Sequence, residues 1–132
     1  MVDGGFPVAL VVEDAPAIRY MLEAVLRQHG VRVHGAGSCD EALVLARIEC
    51  PDVVLLDLLV PGMRSDVFLD AFRALPGGDL VPVIVLSGLS GGLAAALTCG
   101  AQAYIPKPFD MADVLPVVAR QLAARRRALD LI

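Results

Sequence analysis

Five short apolar runs, each followed by a segment with helical spacing or helix-end signals, limit what this chain can fold into. The runs are Val8–Val12, Val31–Ala36, Val53–Leu56, Val83–Leu86 and Ala103–Ile105. Three of them are solid Val, Leu and Ile rather than alternating, as strands covered on both faces read. Repeated strand–helix units imply a parallel sheet with right-handed crossovers and helices on both faces. In such open sheets, ligands bind beyond the carboxyl ends of the strands.

The intervening segments carry helix signals. Pro16 suits a first turn, and Ile18, Met21, Leu22, Val25 and Leu26 keep the spacing of one buried face before Gly30 closes the helix. Ser38-Cys39-Asp40-Glu41 reads as a capping box for the second helix, with Ala42, Leu45 and Ala46 inward. Ser65 is the candidate cap of the third, with Phe68, Phe72 and Leu75 inward and Pro76-Gly77-Gly78 ending it. The fourth spans Gly91 to Cys99, with Gly100 after it, and its glycine pair lowers helix propensity. The last runs from Asp110 or Asp113 to Arg127; Pro116 fits only a start near Asp113 or an irregular first turn.

The 132 residues suit one domain, with a core over residues 7–124 and residues 125–132 as a tail or the start of a linker. A net charge of −4 leaves no basic surplus for phosphate backbones, which argues against direct nucleic-acid binding. The one basic run, Arg125 to Arg127, reads as a solvated last helical turn. Cys39, Cys50 and Cys99 match neither a zinc pattern nor a disulfide framework, which suits a reducing cytoplasm. There is no signal-peptide pattern, and the longest apolar run, broken by Asp57, is far short of the ~20 residues of a membrane helix, so no membrane insertion is expected. His29 and His34 read as surface or turn residues.

The strand ends carry a set of reactive side chains. Glu13 and Asp14 follow the first strand, Asp57 ends the third, Ser87 ends the fourth, and Lys107, the chain's single lysine, lies beyond the fifth. Alone, Asp57 reads as a turn cap, Glu13-Asp14 as a solvated turn and Tyr104 as a core aromatic. Together they read differently. Crowded carboxylates raise one another's pKa unless a cation holds them ionised. A hard divalent ion such as Mg2+ does so with oxygen ligands, and a lysine adds a second positive charge. Such a pocket suits a phosphoryl group, and a carboxylate can be its nucleophile.

These residues resemble the receiver domains of two-component signalling, including stand-alone chemotaxis-type regulators. The likeness covers Pro7 to Ala124 and rests on Glu13-Asp14, the stretch Asp57-Leu58-Leu59-Val60-Pro61-Gly62-Met63, Ser87-Gly88 and Tyr104-Ile105-Pro106-Lys107-Pro108-Phe109. The resemblance implies an α/β fold of the flavodoxin-like, doubly wound kind: five parallel strands in the order 2-1-3-4-5, flanked by five helices. It implies Asp57 as acceptor of a phosphoryl group from a sensor histidine kinase or histidine phosphotransfer protein. It implies Mg2+ on Asp14, Asp57 and the Leu59 carbonyl, with Glu13 acting through water. Lys107 and Ser87 would meet the phosphoryl oxygens, Ser87 and Tyr104 would form the switch, and Lys107-Pro108 would be cis. The output would be a downstream protein target or fused output domain, with a homodimer through the fourth helix, fifth strand and fifth helix as a further expectation. Catalysis would be limited to the domain's own phosphorylation and dephosphorylation.

There are departures. Val60 replaces the usual Met, Gly88 the usual Ala, and Arg64-Ser65 the usual Asp-Gly, which puts the local turn in question. Leu59 and Leu89 flank the site with apolar side chains and are expected to hinder an attacking water. Two other readings stand beside this one: a phosphorylation-independent interaction domain, and an aspartate-nucleophile phosphohydrolase. The latter usually carries a second Asp two residues after the nucleophile, where this chain has Leu59.

Overall fold

A computed structural model of the chain describes residues 5–88 and 90–131. The strands are β1 (Val8–Val12), β2 (Arg32–Ala36), β3 (Val53–Asp57), β4 (Val83–Ser87) and β5 (Ala103–Pro106). They alternate with α1 (Pro16–Gln28), α2 (Cys39–Ile48), α3 (Ser65–Arg73), α4 (Gly92–Thr98) and α5 (Met111–Asp130). The sheet is parallel, in the order β2-β1-β3-β4-β5.

Alternation along each strand divides the core in two. Leu10, Val12, Val54, Leu56, Val83 and Val85 face one way and meet Ala42 and Ala46 of α2 with Phe68 and Phe72 of α3. Ala9, Val11, Val53, Leu55, Ile84 and Leu86 face the other way and meet Leu22 and Leu26 of α1 with Val114 and Val118 of α5. β1, β3 and β4 are buried throughout, so burial of each large side chain contributes roughly 1.5–3 kcal/mol. Among the described residues no helix is long and apolar enough to cross a membrane.

Several local expectations are corrected. Ser38 caps α2 by accepting from the Glu41 N–H at 3.1 Å, but Glu41 reaches the N–H of Gly37 instead of Ser38, so the reciprocal half of the box shifts by one residue. Ser65 does not cap α3: Arg64 holds that position without a side-chain cap bond, and the Ser65 hydroxyl donates to the Leu58 carbonyl at 3.5 Å. The missing glycine leaves no strain, because Ser65 in its place opens α3 without a positive φ, Arg64 before it is extended (φ −63°, ψ 148°), and the left-handed turn falls earlier, at Gly62 (φ +90°). A Cβ at Gly62 would collide with the Asp40 carboxylate, which accepts from the Met63 N–H at 3.1 Å.

α5 takes the earlier of the two expected starts, with Asp110 as its cap, and ends later than expected, at Asp130. Asp110 and Asp113 form a full capping box, so Pro116 lies inside the helix. Its ring leaves the Ala112 carbonyl without the usual N–H four residues on. Arg125 is not solvated: its guanidinium donates to the Asp52 carboxylate and to the Leu80 carbonyl, both at 3.1 Å, while Asp52 accepts from the Val8 N–H. His29 is exposed, as expected, whereas His34 sits in β2 and bonds Glu49 at 2.8 Å. Cys39, Cys50 and Cys99 are free thiols, and burial pushes that of Cys39 up to about 11.

Candidate functional site

The carboxyl ends of β1, β3 and β4 deliver Glu13, Asp57 and Ser87 to one rim, and all three are buried. Parallel register does this: Val12 lies beside Leu56, and Asp57 beside Leu86. Lys107 follows β5, where the Lys107-Pro108 bond is cis and the Lys107 N–H donates to the Ser87 carbonyl at 2.8 Å. Its ammonium reaches back to bond Glu13 Oε1 at 2.7 Å and Asp57 Oδ2 at 3.0 Å. One cation thus joins residues 94 and 50 positions away in the chain.

Backbone donors fix the remaining carboxylate oxygens. Asp57 Oδ1 accepts from the Leu59 N–H at 3.0 Å, and Glu13 Oε2 accepts from the Ala15 N–H at 3.2 Å. Burial pushes the Glu13 carboxyl up; the Lys107 bond pulls it back and the neighbouring Asp57 adds to the rise, so it stands above the usual carboxylate range. Burial pulls the Lys107 ammonium down, but its bonds to Glu13 and Asp57 outweigh that and hold it above the usual lysine value. The pocket is therefore acidic, with two buried carboxylates at its floor sharing the Lys107 ammonium.

Glu13, Asp14 and Asp57 each offer a carboxylate oxygen within 4.8 Å of the others, with Asp14 exposed at the mouth. That grouping suits a small hard cation that keeps several waters, held directly by some of these oxygens and through water by another. The donor set is all oxygen, as such a cation prefers. Leu59 presents an exposed side chain beside this group. Leu89, the other expected apolar flank, lies outside the described residues.

The expected switch pair is also together. The half-buried Tyr104 directs its hydroxyl to the Ser87 carbonyl, donating at 3.4 Å. Gly92, the first residue of α4, is packed against both: a Cβ there would lie 2.9 Å from Ser87 Oγ and 3.0 Å from the Tyr104 hydroxyl. Sequence reasoning read Gly92 only as a weak helix start. Its role is close approach. Gly92→Ala is expected to cost about 1–3 kcal/mol through overpacking, measurable as a lowered urea midpoint. Gly88 is different, since a Cβ there would only touch Lys107 Cβ at 3.4 Å.

A family model described as Response regulator receiver domain matches residues 9–119. The chain belongs to this family. The receiver domain is 35% identical over 120 residues to the transcriptional regulatory protein PdtaR of Mycobacterium tuberculosis, covering 89% of this chain and 56% of that protein. It is 37% identical over 123 residues to the DNA-binding response regulator MtrA of Mycolicibacterium smegmatis, covering 92% and 51%. The chain thus spans about half the length of these curated relatives. Among solved structures it resembles the receiver domain of the sensor histidine kinase PA1611 from Pseudomonas aeruginosa, at a TM-score of 0.81 and 29% identity over 90% of this chain and 99% of that one. That structure holds a magnesium ion in its active-site cleft. The order and number of strands and helices are those of such receiver domains, which work with histidine kinases and output domains in two-component signalling.

Proposed function

We propose that this receiver domain accepts a phosphoryl group on Asp57 from a histidine kinase or phosphotransfer protein and presents an altered binding face in response. The observation that carries this is the Lys107 ammonium held between Glu13 and Asp57 at 2.7 and 3.0 Å, on the rim where Asp14 completes the acidic group. Asp57 Oδ would attack phosphorus as the bond to the donor imidazole breaks. Asp14, Asp57 and the Leu59 carbonyl would hold Mg2+, with Glu13 acting through water. When bound, Mg2+ supplies charge that neutralises the phosphoryl oxygens. Lys107 would exchange a carboxylate oxygen for a phosphoryl oxygen, and the Ser87 hydroxyl would donate to another.

Phosphorylation adds about −1.5 to −2 charge and three strong acceptors. Ser87 moving toward them would release the carbonyl contact of Tyr104 and the packing on Gly92. The face of α4, β5 and α5 would then change shape for a downstream protein, a fused output domain or a second copy. The domain would serve as a signalling acceptor that catalyses only its own phosphorylation and dephosphorylation. An aspartate-nucleophile phosphohydrolase usually carries a second Asp where this chain has Leu59.

Incubation with acetyl phosphate and Mg2+, followed by intact mass, tests the proposal. One added phosphoryl group is expected. Rapid, sustained release of phosphate would favour the hydrolase instead, and no modification would favour a phosphorylation-independent interaction domain.

A further inference from the structure

The Glu13-Asp14 turn is held from a direction that the acids themselves do not explain. The Glu13 N–H donates to the Ala36 carbonyl at 2.9 Å, and the Glu13 carbonyl accepts from Arg19 Nη1 at 2.8 Å. Arg19 is largely buried and pairs with Glu23 at 3.7 Å, one helical turn further along α1. It lies over the end of β2, where the chain reads Gly35-Ala36-Gly37. A Cβ at Gly37 would stand 3.3 Å from Arg19 Nη1, and one at Gly35 would collide with the Glu23 carboxylate and lie 3.4 Å from Arg19 Cδ. Neither glycine has a positive φ, so the backbone does not require glycine at either place. The requirement is room: the two residues leave a trough in which Arg19 and Glu23 sit.

We infer that Arg19, seated in this trough, is a positioning residue for the cation site: it fixes the Glu13 carbonyl and so the turn that presents Glu13 and Asp14. The inference rests on the reading above that the rim acids hold a divalent cation. Charge alone predicts the opposite of what positioning predicts. Removing a nearby cation should strengthen Mg2+ binding by simple electrostatics, whereas loss of a positioning contact should weaken it.

The test is calorimetric titration of the full chain with MgCl2, without phosphodonor, alongside thermal melts. Arg19→Ala is expected to weaken Mg2+ binding about tenfold, the size of loss seen when a residue orienting a metal ligand is removed. Arg19→Lys, which keeps a donor and the charge, should recover most of it. Gly35→Ala should weaken binding less while the fold holds, because the group it displaces is the far end of a flexible side chain. Arg47→Ala, an exposed cation in the last turn of α2, should leave binding unchanged. Arg19→Ala with unchanged or tighter binding overturns the inference, and so does equal weakening in Arg47→Ala. Should Arg19→Ala fail to fold, wild-type affinity in a folded Gly35→Ala overturns it. A wild-type chain that binds no Mg2+ overturns the cation site itself, and this inference with it.

Discussion

Replacing Lys107 by methionine is expected to cost the fold about 3–5 kcal/mol near neutral pH without Mg2+, the range for removing one partner of a buried ion pair. The Lys107 side chain is 22% exposed, but Glu13 and Asp57 are 1% and 6% exposed. The variant leaves those two carboxylates without their shared cation. The deficit should depend on pH with a definite sign. Lys107 stands above the usual lysine value, so its contribution is fully present below that value and is lost only as pH rises through the raised one. At neutral pH the wild type therefore has all of it. Glu13 stands above the usual carboxylate range, so ionising it costs stability as pH climbs from that range through its raised value. Without Lys107 that cost grows, and the deficit should shrink as pH falls and Glu13 takes up a proton. Added Mg2+ should recover part of the loss by binding the folded state. Urea melts with and without Mg2+ at two pH values measure all of this. A variant as stable as wild type at neutral pH would mean that the acids are not held together by Lys107.

Asp57→Asn is expected to abolish phosphoryl acceptance while leaving stability equal to wild type or higher. Asparagine keeps the size of the side chain and the oxygen that accepts the Leu59 N–H. It removes one of two buried negative charges that share Lys107, which relieves repulsion on Glu13. Were Asp57 only a turn cap, asparagine would serve as well and nothing would change, since the two residues are equivalent at such positions. Intact mass after acetyl phosphate, paired with a urea melt, separates the two roles. Loss of acceptance together with a fall of several kcal/mol would point to a structural defect rather than a missing nucleophile.

Much of the fold was legible because the buried strands announce themselves. β1, β3 and β4 are unbroken apolar runs, and their ends mark where Glu13, Asp57 and Ser87 must emerge. Lys107 was legible because it is the chain's single lysine and lies just past the fifth run. What was not legible depends on contacts between distant segments. The Ser65 hydroxyl turns to Leu58 because Arg64 already provides the extended entry to α3. Pro116 is carried inside α5 because the Asp110–Asp113 box and the packing of Val114 and Val118 hold the flanking turns. Arg125 reads as surface until Asp52 and the Leu80 carbonyl are seen opposite it. The site's supports were hidden in the same way. Gly92 gives no signal of its closeness to Ser87 and Tyr104. The Gly35-Ala36-Gly37 stretch says nothing by itself about Arg19.

The most direct measurement is to locate the phosphoryl group. The chain is phosphorylated with acetyl phosphate and Mg2+, reduced with borohydride, which converts an aspartyl phosphate to homoserine, and mapped by peptide mass spectrometry. Homoserine is expected at position 57 and at no other aspartate. Homoserine at Asp14 or elsewhere, or a phosphoryl group on a side chain that resists reduction, would contradict Asp57 as the acceptor.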